Sequence, residues 1–282
     1  MLKTTNFALA ISALVAFGNA LPARAGLLDF RMFNTANYTQ TKTGESLQGY
    51  SFEMDTILQS PLDFTSSRVT YPGPGSPVSL TQSSSDPTFF NTNYGPFPTL
   101  SALHTALPFG NYTASFTNGT VTDTATIDYI SDHFQTSTPQ LTAASFAALQ
   151  NANPSQSLTL NFNAFTPDTA TNDTVGTFFS IFAPNGSTVF TTFLAPNVTS
   201  VIIPAGTLKA ATNYSLALDQ GGRIFTAPNG EGVETEFGFA IDDNAAFTTA
   251  APEPAFLGVF GIGIIGLVLL ARRFSSIKRN VC

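Results

Sequence analysis

Residues 157–249 set the tightest limit on this chain's fold, because short alternating runs recur there with a turn between each pair. Ser157–Phe165 (SLTLNFNAF) places Leu158, Leu160, Phe162 and Ala164 on one side and polar residues on the other. Side chains of a strand alternate between its faces, so this period of two predicts a strand with one buried face. Gly176–Ala183, Thr188–Phe193, Ser200–Ile203, Asn213–Leu218 and Val233–Ile241 follow, rich in β-branched and aromatic residues. Pro184-Asn185-Gly186 and Pro196-Asn197 punctuate them, the first joining two runs as a hairpin would. Six or seven such strands predict an antiparallel β-sandwich with one wetted face per sheet.

The preceding stretch, 26–138, reads as a β-rich domain too. Tyr50–Leu58, Pro77–Thr81, Tyr112–Phe116 and Ala125–Ile130 are strand-like, and Tyr71–Pro77 (YPGPGSP) is a turn cluster that no helix could cross. Leu100–Ala106 suits a turn or two of helix. Ala143–Gln150 (AASFAALQ), with four Ala and one Leu in eight residues, is the strongest helical segment. A domain boundary is expected near Pro139, with a second domain over 139–249. The predicted fold class is therefore all-β: one or two immunoglobulin-like antiparallel β-sandwich domains, flanked by a signal peptide and a C-terminal transmembrane helix.

One short motif within the second domain carries a resemblance. Leu208-Lys-Ala-Ala-Thr-Asn-Tyr214 is similar to the stretch before strand F of fibronectin type III and related immunoglobulin-like domains. The resemblance implies that Leu208 packs inward and that the Tyr214 hydroxyl closes the corner onto backbone. Leu107 and Tyr112 form a looser echo, one residue shorter. With no Trp and no internal Cys, the antibody-type core pattern is absent.

Charge excludes one class of partner. Charged residues make up only 10% of the chain. Between residues 26 and 254 stand five basic residues and all eighteen acids, a formal charge of −13. Such a surface repels phosphate backbones, so nucleic acid is not an expected partner. Divalent cations or a neutral glycan would be compatible. Cys282 is the only cysteine, so no intramolecular disulfide forms and no cysteine-based zinc site exists.

Met1–Ala25 has the parts of a secretory signal peptide: Lys3, the short apolar run Phe7–Phe17 and an A-x-A cleavage site at Ala23-Arg24-Ala25, with Gly18-Asn19-Ala20 as a second possible cut. At the other end, Pro252-Glu253-Pro254 is followed by the uncharged run Ala255–Leu270, then by Arg272-Arg273. The run is of membrane length, giving a transmembrane segment over 255–271 within a terminal unit of 250–282, and the arginines form a basic stop on the cytoplasmic side. This order resembles the PEP-CTERM sorting signal of exported bacterial proteins. The resemblance implies that Pro252, Glu253 and Pro254 are recognised by an exosortase-type membrane transpeptidase, and that the apolar helix is a temporary membrane anchor. It also implies a cell-surface or matrix destination beside exopolysaccharide. The chain runs on through Ser275–Cys282, past the point where the family usually ends.

Motifs of chemistry are sparse. Gly261-Ile-Gly263-Ile-Ile-Gly266 spells a dinucleotide fingerprint, yet it lies inside the apolar run with no strand before it, and small residues for helix packing in lipid fit better. His104 and His133 are the only histidines, and neither has a ligand-type partner at i+3 or i+4. Asp242-Asp243-Asn244, with Glu231, Glu234 and Glu236, could gather Ca²⁺, but a solvated acidic edge that discourages sheet pairing is the favoured reading. No catalytic residue, metal or cofactor is expected. The leading function is a structural or adhesive surface protein. The alternatives are a carbohydrate-binding module using exposed Tyr or Phe, and a secreted glycoside hydrolase with an unrecognised carboxylate pair about 5–9.5 Å apart.

Overall fold

The computed structural model describes residues 26–251, apart from 61–63, 65, 118–121, 136, 167, 172 and 227–231. In chain order the first half holds β1 (Leu27–Thr41), β2 (Gly44–Leu58), β3 (Ser66–Thr70), β4 (Val78–Ser79), β5 (Thr81–Gln82), β6 (Phe89–Phe97), α1 (Leu100–Ala106), β7 (Gly110–Thr117) and β8 (Thr122–Tyr129). The second half holds α2 (Ala143–Leu149), β9 (Leu158–Asn161), β10 (Asp173–Phe182), β11 (Thr188–Leu194), β12 (Ser200–Ile203), β13 (Asn213–Thr226) and β14 (Glu234–Thr248). Strands take up 57% of the structure and helices 7%, which makes the protein all-β. Both helices begin at a threonine, Thr99 and Thr142, whose hydroxyls accept from Ala102 and Ser145 N–H and so satisfy otherwise orphaned donors.

One eight-stranded sheet, in the order β11-β10-β13-β14-β1-β2-β6-β5, runs the length of the molecule. A four-stranded sheet, β4-β3-β7-β8, covers one part of its inner face, and the pair β12-β9 with α2 covers another. Two hydrophobic cores result. The first gathers Phe30, Met32, Phe52, Met54, Tyr112, Phe116, Tyr129, Phe237 and Phe239. The second gathers Phe146, Leu160, Phe162, Phe179, Ile181, Leu216, Leu218 and Phe247. Each fully buried Leu or Phe contributes about 1.5–3 kcal/mol by leaving water.

The sheet is not purely antiparallel, as the alternation pattern led us to expect. β1 and β14 pair in parallel through eleven residues each, from Asp29 opposite Glu234 to Thr39 opposite Asn244. Alternation encodes which face is buried and carries no information about a partner's direction, so this pair was invisible in the sequence. Its consequence is architectural. β14 lends Phe237 and Phe239 to the first core and Ala245 and Phe247 to the second, and fifteen residues at about 3.3 Å each span nearly 50 Å. The chain therefore enters beside the first core and leaves at the far end of the second. Pro139 lies in the segment that passes from one core to the other, while the sheet itself continues through both.

Between the cores the inner face turns polar. Gln40 donates to Leu141 O at 2.8 Å and accepts from Leu141 N–H at 3.0 Å. Gln135 donates to Gln220 O at 2.6 Å. The acidic stretch of β14 is no solvated edge: β14 sits between β13 and β1, and Asp243 is only 2% exposed.

Candidate functional site: the histidine and aspartate cluster at the seam

Both histidines meet aspartates at this polar seam: His104, on α1, faces Asp132, and His133, on the segment that leaves β8, faces Asp168. Tyr129 ends β8 with its ring in the first core, against Phe237 at 4.7 Å and Phe109 at 4.7 Å. Its hydroxyl donates to Asp132 Oδ1 at 2.5 Å and lies 3.2 Å from His104 Nε2. His104 Nε2 is 3.0 Å from Asp132 Oδ2. Buried Asn34 donates to the Tyr129 hydroxyl at 3.2 Å and to Asp132 Oδ1 at 3.0 Å. Burial first, and Asp132 second, push the Tyr129 hydroxyl far above its ordinary pKa, so it stays a donor. This half of the cluster is a closed network that pins α1, β1 and β8 together.

The other half is more open. Ser131 Oγ lies 2.8 Å from His133 Nε2, and His133 Nδ1 lies 3.5 Å from Asp168 Oδ1. The imidazole packs edge-on to Phe239 at 5.3 Å. Asp168 is fixed by its own turn: its Oδ1 accepts from Ala170 N–H at 2.7 Å, and its carbonyl accepts from the Thr171 hydroxyl at 2.6 Å. Neither histidine's aspartate was legible locally. His104 meets residues 25 and 28 positions away, and Asp168 is 35 positions beyond His133. The one local signal was the run Ser131-Asp132-His133.

Of the residues expected to matter, Leu208 and Tyr214 are both buried, and the Tyr214 hydroxyl accepts from Lys209 N–H at 2.8 Å. The Tyr214 ring stacks on Phe247 at 5.4 Å. Tyr112, also buried, donates to Pro108 O at 2.9 Å. Ala23, Ala25, Pro252, Glu253, Pro254, Arg272 and Arg273 lie outside the described residues, as do the 255–271 segment and the glycine fingerprint. No helix among the described residues is long and apolar enough to cross a membrane.

A Ca²⁺ site on β14 is not assembled. Asp242 and Asp243 project to opposite faces, Glu236 is paired with Arg223 at 3.0 Å, and Glu231 lies outside the described residues. Among the described residues, no group of three or more His, Cys, Asp or Glu is placed to hold a metal. A further charged group lies on the outer face of the long sheet. There Arg31, flanked by the rings of Phe33 and Phe89 at 5.9 Å each, pairs with Asp55 at 2.6 Å and Asp29 at 3.5 Å. Burial pushes both aspartates up to about 7, against the downward pull of Arg31.

No family model matches this chain, and no curated protein does. Among solved structures it is similar to the BSP domain of a biofilm associated protein, at 14% identity and a TM-score of 0.22 over 78% of this chain and 29% of that one. It is similar to the FN1–FN3 domains of chicken CNTN1, at 10% identity and a TM-score of 0.28 over 80% and 69%. A two-domain fibronectin type III segment of chicken tenascin matches at 13% identity and a TM-score of 0.25, over 70% and 92%. The chain spans 29% of the length of the first of these.

Proposed function

We propose that this is an exported surface or matrix protein, structural or adhesive beside exopolysaccharide, with immunoglobulin-like lobes and a C-terminal PEP-CTERM-type address. The observation that carries the reading is the order Pro252-Glu253-Pro254, uncharged Ala255–Leu270, Arg272-Arg273. Proline on both sides of Glu253 keeps that segment extended and open to an exosortase-type transpeptidase, since helix cannot propagate through it. The signal peptide delivers the chain, and the apolar run holds it until it is processed. β14, which precedes this segment, carries residues of both cores, so on this reading the two lobes are exported and sorted as one unit. Replacing Pro252, Glu253 and Pro254 by alanine should leave a full-length precursor in the membrane fraction, while the wild-type chain is shortened at that end. A wild-type chain never shortened there would end the sorting reading.

A second reading, carbohydrate binding, is favoured by a groove of about 580 Å³ between the β1–β2 turn and α2. Lys42, Gln140, Gln150 and Asn163 line it with polar groups, and Phe146 adds an aromatic wall. Its size falls within the usual range for small-ligand sites. On this reading the full chain in detergent retains specific glycans on an array, and Gln150→Ala weakens that retention at least tenfold. Binding indifferent to that change would exclude the groove.

A further inference from the structure

We propose that Ser131, His133 and Asp168 form a nucleophilic site that takes the acyl group of a carboxylic ester. This goes beyond the sorting reading and does not depend on it.

The three side chains stand in the order such chemistry needs. A serine hydroxyl is a weak nucleophile until a base removes its proton, and an imidazole serves best when a carboxylate fixes its tautomer. His133 offers Nε2 to Ser131 at 2.8 Å and turns Nδ1 toward Asp168 at 3.5 Å. The second distance is longer than a hydrogen bond, a common state of catalytic contacts before substrate binds. Three features make the arrangement more than a chance contact. The imidazole is seated against Phe239 of the first core, so its ring plane is set by packing. The Asp168 carboxylate is held by its own turn. Asp132, the acid between Ser131 and His133 in sequence, is committed to Tyr129, Asn34 and His104, so it does not compete for His133. The site also straddles the seam, with Ser131 and His133 following the first core's last strand and Asp168 preceding β10 of the second. His133 is 15% exposed and Asp168 29%, which leaves the triad within reach of a solute.

In the reaction, Ser131 Oγ attacks the ester carbonyl carbon while its proton passes to His133 Nε2. Asp168 accepts the Nδ1–H bond and stabilises the imidazolium. The carbonyl carbon's bond to the leaving oxygen then breaks, and the proton on Nε2 goes to that oxygen, releasing the alcohol. Water, deprotonated by His133, attacks the acyl-serine, releases the carboxylic acid and restores Ser131. Esters rather than amides are the substrate class, because an alkoxide leaves with less assistance than an amine.

The experiment treats the full chain with a fluorophosphonate probe and with p-nitrophenyl acetate. The expected result is a phosphonylated peptide containing Ser131, located by mass spectrometry of the wild-type protein. Ser131→Ala should abolish labelling, and His133→Gln should slow it and ester turnover about 10²-fold or more. Asp168→Asn should slow both by a smaller factor. Failure of the wild-type chain to label at Ser131, or labelling that is undiminished in His133→Gln, overturns the proposal. Because the label is mapped in the wild type, a variant that fails to fold does not blur the outcome. Precursor processing at the C-terminus is scored separately, so the two readings fail independently.

Discussion

Phe52→Ala lowers the melting temperature of both lobes together, by roughly 10 °C, in a single transition. Phe52 is 1% exposed and packs against Tyr112 at 5.9 Å, Tyr129 at 5.8 Å and Phe237 at 6.0 Å. Truncating a fully buried phenylalanine costs about 3–5 kcal/mol, and each kcal/mol moves the melting point of a chain this size by about 2–4 °C. The first lobe takes that loss directly. The second shares it because β14, β13 and β1 cross between the cores without a break in pairing. Phe237 touches Phe52, and ten residues along the same strand Phe247 fills the second core. Unfolding the first core frees one end of a ladder that the second needs. Hydrogen exchange separates this outcome from its opposite. Amides around Phe179 and Ile181, deep in the second core, should lose protection in Phe52→Ala to the same extent as those around Met54. If they keep wild-type protection, the lobes are independent domains joined near Pro139.

Strands whose inner face is mainly apolar were readable in the sequence. Tyr50–Leu58 lies within β2, Ser157–Phe165 contains β9, and the two helices fall at 100–106 and 143–149. β1 was not readable, although it is as long as any strand present. Its inward positions run Phe30, Met32, Asn34, Ala36 and Gln40, and the polar ones interrupt the alternation that marks a strand. Those residues are polar because β1 crosses the seam, where Asn34 serves Tyr129 and Asp132 and Gln40 serves Leu141. β6 was hidden for a related reason. Near the edge of the sheet, it carries Asn91, Asn93, Gly95 and Pro96 where a central strand would carry branched residues. The candidate site was illegible because its geometry is made by the fold. Only Ser131, Asp132 and His133 are neighbours in sequence, and the one acid among them serves His104, while His133 is met by the distant Asp168.

Asp243→Asn should raise the melting temperature at pH 8.5 and leave it nearly unchanged at pH 5. Asp243 points inward from the middle of β14, 2% exposed, and its Oδ1 has no hydrogen-bond partner. Burial, then the charges of Glu45 and Asp242, push its carboxyl up to about 8. In the unfolded chain the same group titrates near 4. Between those values the folded protein binds a proton that the unfolded chain has lost, so stability falls as pH rises from about 4 to 8. Above pH 8 both states are ionised and the full penalty of a buried carboxylate with an orphaned oxygen remains. A shift of this size corresponds to several kcal/mol as an upper bound, and a few kcal/mol once the seam relaxes around the charge. Asp29 and Asp55, pushed up to about 7, and Asp242, pushed up to about 6, act in the same direction. The wild-type melting point should therefore decline steadily from pH 5 to pH 8.5. An asparagine holds the same volume without a charge, so the variant should show a flatter profile and melt roughly 5 °C or more above wild type at the alkaline end. Equal slopes in the two proteins would show that Asp243 is ionised at no cost. The polar seam would then have to be wet enough to solvate a carboxylate between two dry cores.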